Sequence, residues 1–190
     1  QRNGEKWAPK GFEVANAQFA LPVVAAEPTV KIPGAVSATR RANGDIQIAG
    51  SNFALLFDHA SDTLSELSHN GQNVLLPGGG PKLHLWRAQH RIDDTWAARR
   101  WYEVDLMNLK AELLDLGLSK GSNGEAVVSS SIRYTGKAGF SATHLARYSI
   151  YGNGSIAVDN AVSPAGRDVP LARVGVRMLL SPQLEDLTYF

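Results

Sequence analysis

From about Ala35 onward, hydrophobic and polar positions alternate with the period of two that a half-buried strand requires. Ile46-Gln47-Ile48 alternates, and Phe53, Leu55 and Phe57 fall on one face of a strand that ends before Asp58. Leu83-His84-Leu85-Trp86 is strand-like after the loop Gly78-Gly79-Gly80-Pro81. Phe140 to Tyr151 and Ser155 to Val162 flank Asn153-Gly154, which predicts a hairpin closed by a type I′ turn, where both central residues need positive φ. Asn43-Gly44 and Asn70-Gly71 mark two more turns. Across Leu171 to Leu180, Val174, Val176, Met178 and Leu180 share one face opposite Arg173, Gly175 and Arg177, the pattern of a strand half-buried on a core. One stretch changes period. Asp94 to Leu109 lacks glycine and proline, and Ala97, Trp101 and Val104 recur at i, i+4 and i+7. That spacing predicts one short helix with Asp93 or Asp94 as its N-cap.

Many short strands, frequent turns and a single helix predict an all-β protein, an antiparallel β-sandwich. Upstream the pattern differs. Gln1 to Lys10 is polar, Phe12 to Leu21 reads as extended, and Pro22, Pro28 and Pro33 punctuate the stretch up to the main domain. Proline lacks a ladder donor, so this region is a linker or edge segment. The expected division is 1–33 as the end of a preceding domain plus linker, and 34–190 as the main domain. The last residues, Leu187-Thr188-Tyr189-Phe190, are a strand-like apolar run, so the sandwich is expected to be truncated.

Composition excludes several classes. With 44% hydrophobic and 19% charged residues, the chain is too apolar for disorder. A net charge of +1 gives no field to gather nucleic acid or an anionic membrane, and no run approaches the ~18 apolar residues of a membrane helix. The absence of cysteine removes disulfides, thiolate metal sites and cysteine nucleophiles. It leaves the compartment open between bacterial periplasm, secretion and cytoplasm.

The search for chemistry gives mostly structural readings. Gly152-Asn153-Gly154-Ser155-Ile156-Ala157 formally fits a dinucleotide fingerprint, but that motif must open a helix, and here a strand follows. Gly78-Gly79-Gly80-Pro81-Lys82 lacks the ending of a phosphate cradle. His59, His69, His84, His90 and His144 are scattered without metal-ligand spacing. Glycoside hydrolysis needs two carboxyl groups at a set separation, and nothing in the sequence singles out such a pair. The stretch most worth weighing runs from Trp86 to Trp101. It holds three of the four tryptophans together with Arg87, Arg91, Asp93 and Asp94. Sugars present apolar C–H faces to aromatic rings and hydroxyls to planar donors and carboxylates. Trp86, Arg87, Asp93, Asp94 and Trp96 are therefore the candidate carbohydrate-binding residues. The competing reading has Trp86 and Trp101 filling the core and Trp96 packing the helix onto it.

Several of these segments, taken in order, resemble one family. Phe53-Ala54-Leu55-Leu56-Phe57-Asp58, Thr63-Leu64, Asn70-Gly71 and Gly80-Pro81-Lys82-Leu83-His84-Leu85-Trp86-Arg87-Ala88 resemble the start of the C-terminal domain of family 2 β-galactosidases. Trp96 to Leu109 resembles the helix that follows there, and Tyr151 to Val158 and Val169 to Gly175 resemble later strands. Gly11 to Ala15, with Gln18-Phe19, resembles the last strand of a preceding immunoglobulin-like domain. The resemblance implies a supersandwich related to galactose mutarotases, with the catalytic glutamates in a separate β/α barrel. No residue of this chain is then catalytic. The parent would hydrolyse terminal β-galactosides with retention, and any Mg or Na ion it uses would sit outside this segment. The implied partners are the rest of the β-galactosidase chain, a galactoside, and, as an open possibility, a second copy. One departure stands out. The family continues Trp-Arg-Ala with Pro, a small residue and Asp-Asn-Asp, whereas this chain reads Gln89-His90-Arg91-Ile92-Asp93-Asp94. Two rivals are a stand-alone carbohydrate-binding module and a mutarotase-like epimerase, the latter needing a histidine and a carboxylate as acid and base.

Overall fold

The computed structural model describes residues 7, 9–13, 19, 34–60, 63–93 and 96–184. The chain divides into two compact units, Gln1–Val30 and Lys31–Phe190. In the first, Trp7 and Phe12 meet edge to face at 6.0 Å. The linker prolines, most of the extended reading of 12–21, Asp94 and the terminal run 187–190 lie outside the described residues.

Among the described residues the second unit is antiparallel β apart from one short helix and a 3₁₀ turn. Strands β1 (Ser37–Arg40), β2 (Ile46–Ala49), β3 (Phe53–Asp58), β4 (Thr63–His69) and β5 (Gln72–Asn73) form a five-stranded meander. Strands β7 (Lys110–Lys120), β8 (Ala126–Thr135), β9 (Phe140–Ile150) and β10 (Ile156–Gly166) form a second, longer sheet in the order β10-β9-β8-β7. Between them in sequence lie β6 (Lys82–His84), α1 (Ala98–Glu103) and a 3₁₀ turn at Leu106–Asn108. A final strand, β11 (Gly175–Arg177), pairs with β6.

The alternation of the sequence places the core. Ile46, Ile48, Phe53, Leu55 and Phe57 from the meander pack against Val128, Ala146, Tyr148 and Ile150 from the long sheet. The rings of Phe57 and Tyr148 meet edge to face at 5.0 Å across this layer. The other end of the same long-sheet face, Ile132, Tyr134, Phe140 and Ala142, is covered by Leu83, Leu85 and Trp101. One continuous sheet face thus carries two caps, a sheet and a helix. The pairing shifts register after Leu56 between β3 and β4 and after Leu113 between β7 and β8, as β-bulges do.

The turns correct one expectation. The β9–β10 hairpin forms as predicted, but Asn153 does not take positive φ; Gly154 does, at 87°. Gly154 N–H donates to Tyr151 O, and Tyr151 N–H donates to Ser155 O. This is a type I turn followed by a glycine bulge, with Asn153 Oδ1 accepting from Ser155 N–H. Gly44 and Gly124 close their hairpins with the same two backbone bonds. The type I′ geometry belongs to Asn70-Gly71 instead, with φ of 50° and 76°.

Gly152 is held to glycine by a close approach and not by its φ. A Cβ there would lie 2.1 Å from Gly34 O, and one on Gly34 would lie 2.6 Å from Gly152 O. The chain leading into β1 crosses the hairpin backbone to backbone at Gly34. Gly152→Ala is therefore expected to destabilise the unit by about 1–3 kcal/mol, since rigid main chain must shift. Chemical denaturation checks this, and an unchanged midpoint would mean that the crossing is not formed.

Two further expectations are corrected. The helix is shorter than Asp94–Leu109, because Asp105 adopts a left-handed φ of 54° and breaks it from the 3₁₀ turn. The segment 171–180 contributes only three strand residues, and Val174, Val176, Met178 and Leu180 are 41–59% exposed. Their alternation is real, but among the described residues nothing is stacked upon them.

Candidate functional site

The loop from Trp86 to Ala97 links β6 to α1, and an ion pair closes it on itself. Arg87 donates from Nη1 to Asp93 Oδ2 at 2.7 Å and from Nη2 to Asp93 Oδ1 at 2.8 Å, a fork-to-fork pair. His90 N–H adds a third bond to Asp93 Oδ2 at 2.6 Å. Asp93 is buried, and these contacts hold its carboxyl below the ordinary range, the Arg87 bonds first and the His90 N–H second. The guanidinium also lies over the ring of Trp101, 5.4 Å from its centroid.

Trp101 anchors the arrangement. It is 1% exposed, and its indole N–H donates to Pro170 O at 2.6 Å. The periodicity that predicted a helix placed it correctly, since Ala97, Trp101 and Val104 are all buried. The cap expectation is corrected. The N-cap is Ala97, with no side-chain cap bond. Asp93 serves the helix through its main chain, where Asp93 O accepts from Trp96 N–H and Ala97 N–H. Its carboxylate is taken by Arg87.

The five candidate sugar contacts therefore have distinct fates. Trp86 packs half-buried against the helix-side core. Arg87 and Asp93 are engaged with each other. Asp94 lies outside the described residues. Trp96 remains 49% exposed, its ring edge-on to Trp101 at 6.2 Å, so it does not seal the helix onto the core. The loop presents an aromatic face and the exposed Ile92, with a fixed ion pair beneath.

Other ionic groups tie neighbouring elements together. Glu103 pairs with Arg99 at 2.9 Å and with Arg167 at 2.5 Å, joining α1 to the end of β10. Asp105 pairs with Lys137 at 2.8 Å, fastening the β8–β9 turn to the helix. Among the described residues no group of three or more His, Asp or Glu could hold a metal ion. His144 is a core histidine, its Nε2 bonded to Asn160 Oδ1 at 2.8 Å and its Nδ1 without a partner. No carboxylate hydrogen-bonds to His144 in the described part, so the epimerase pairing gains no support there. Sequence reasoning assigned no strands to 110–135, although Ser122-Asn123-Gly124 and the alternation of Val128, Ser130, Ile132 and Tyr134 carry the signal.

Residues 49–190 match a protein family described as the β-galactosidase small chain. A β-galactosidase of Priestia megaterium is 22% identical over 194 residues, covering 97% of this chain and 17% of that protein. A β-galactosidase of Streptococcus thermophilus is 36% identical over 89 residues, covering 46% of this chain and 8% of that protein. The chain thus spans less than a fifth of the curated relatives it matches.

Proposed function

The chain belongs to the β-galactosidase small-chain family, and from that premise we propose that it works as a non-catalytic domain of a longer β-galactosidase. In this reading the parent hydrolyses terminal β-galactosides with two carboxylates located elsewhere. This domain shapes the rim of that site and makes domain or subunit contacts. Any Mg or Na ion the parent uses lies outside this segment.

The supporting observation is the clamp under the loop. A rim element must hold its shape without substrate, because a displaced contact weakens binding directly. The Arg87–Asp93 fork, stacked on a buried Trp101, fixes the loop and leaves Trp96 facing outward. Acidic groups near the loop, Asp93, Glu103 and Asp105, are held in ion pairs, which suits a scaffold better than an acid–base pair.

The test is made in the full-length parent with an aryl β-galactoside. Trp96→Ala is expected to raise KM about three- to tenfold, an energy of ~1 kcal/mol, with kcat and thermal midpoint unchanged. An unchanged KM would remove the rim role. The half-exposed Trp96 also keeps alive a second reading, the stand-alone carbohydrate-binding module. Titrating the 190-residue chain with galactose and lactose, followed by tryptophan fluorescence, separates the two. A scaffold gives a flat response; a module gives a saturable change that Trp96→Ala abolishes.

A further inference from the structure

The segment that ends the described chain is zipped along one side only. Arg173 N–H donates to Leu85 O, β11 pairs with β6, Leu179 exchanges backbone bonds with Gly79 and Leu76, and Ser181 N–H donates to Val74 O. Among the described residues β11 has β6 as its one strand neighbour, so its far edge faces no strand.

Alternation divides the side chains of this edge into two stripes. On one face Lys82 stands directly opposite Arg177, and His84 opposite Gly175. Arg173 joins them, with its Nε 4.0 Å from where a Cβ on Gly175 would sit. Like charges directly opposite on a sheet repel. Among the described residues no carboxylate lies within ion-pair distance of Lys82, His84, Arg173 or Arg177. Burial, then Arg173 and Arg177, hold His84 below its ordinary range. The other stripe is apolar: Val174, Val176 and Met178 are 59%, 41% and 51% exposed. Val176 sits opposite the buried Leu83, so this stripe borders the helix-side core.

We propose that this edge receives an extended acidic segment from the remainder of the parent polypeptide, added as a strand along residues 173–178. Its carboxylates would meet Lys82, Arg173 and Arg177, and its alternate apolar side chains would cover Val174, Val176 and Met178. The inference rests on the reading that this domain works within a longer chain. A small anion could neutralise the cations but would leave the apolar stripe bare. A strand with period two satisfies both stripes and the open backbone at once. The source is at hand, because more than four-fifths of the Priestia relative lies outside the region this chain matches.

The experiment uses the 190-residue chain with ¹⁵N labelling and follows the histidine rings through a pH titration. The probes are an acetylated, amidated octapeptide alternating Glu with Val and Thr, its Gln analogue, and sodium sulfate, all at matched ionic strength. The Glu peptide is expected to bind saturably and to raise the His84 midpoint by roughly half a unit or more, as added negative charge must. Arg177→Gln, at an exposed position, should weaken the peptide about tenfold, and Lys82→Gln serves as the second variant. Equal binding of the Gln analogue overturns the proposal. So does sulfate reproducing the whole His84 shift with the peptide adding nothing, which would leave a small-anion site; so does no response at all. The Trp96 assay reads KM in the parent. A silent edge with an altered KM therefore removes this proposal alone, and a bound peptide with an unchanged KM removes only the rim role.

Discussion

Trp101→Ala is expected to lower the unfolding free energy of the main unit by about 3–5 kcal/mol, the range for deleting a large buried aromatic side chain. Three losses coincide at this position. The ring fills the space between α1 and the long sheet, among Leu83, Leu85, Tyr134 and Phe140. Its N–H satisfies Pro170 O, which would be left without that donor. It also carries the guanidinium of Arg87, so the loop clamp loses its floor. Helix α1 has six residues, far too few to persist without tertiary support. Trp101→Phe separates the contributions, because it keeps most of the ring and removes the hydrogen bond; about 1–2 kcal/mol is expected. Urea unfolding with a constant slope would measure both. Amide exchange should report where the loss falls. Residues 98–108 should exchange fastest in Trp101→Ala, through local opening, while β2 and β3, packed in the other core cluster, should lose protection only by the fall in the global unfolding free energy. A loss below ~1 kcal/mol would mean that the helix is held by something other than this side chain.

How far the sequence could lead is visible in these same residues. Period-two alternation located β2, β3 and β9 because each buries one face more deeply than the other, whereas β10, exposed along nearly its whole length, was located by the Asn153-Gly154 turn that joins it to β9. The i, i+4, i+7 pattern located the buried face of α1 for the same reason. The length of that helix was not legible, since it is ended by a left-handed Asp105 whose conformation is held through Lys137 and Asn108, contacts distant in sequence or set by the turn. The role of Asp93 was equally hidden. By type it suits a cap or a sugar contact, and only the fold shows Arg87 closing upon it. Gly152 read as a turn residue, whereas its tightest constraint comes from Gly34, more than a hundred positions away. The alternation at 174–180 was read correctly as a pattern and wrongly as burial. A pattern states which side chains share a face; it does not say whether this chain supplies the layer that covers them.

Acid should undo the main unit in two stages. Asp45, Asp93 and Asp105 each have a folded-state pKa below the ordinary 3.8. Asp45 is lowered first by His59 N–H and then by Asn43, Asp93 by Arg87 and then His90, and Asp105 by Lys137 and then Asn108. For a lowered carboxyl the unfolded chain takes up the proton first. Its stabilisation is complete above the unfolded value and is lost as pH falls through the folded one. The steep stage therefore begins near pH 4 and continues downward. His84 is lowered from 6.5, so the unfolded chain again protonates first, and a shallower decline begins near pH 6.5. Thermal midpoints recorded from pH 8 to pH 2.5 should trace both stages. His84→Gln should flatten the upper one. Asp93→Asn should lie well below the parent protein at pH 7 and converge with it in acid, because the charge it removes is already neutralised there. Curves that run parallel down to pH 2.5 would show that the Arg87–Asp93 clamp does not depend on ionisation. If they converge, Asp93 is protonated in the folded domain over that range, the clamp beneath the loop presenting Trp96 loosens, and any rim function the loop serves should weaken on the acid side.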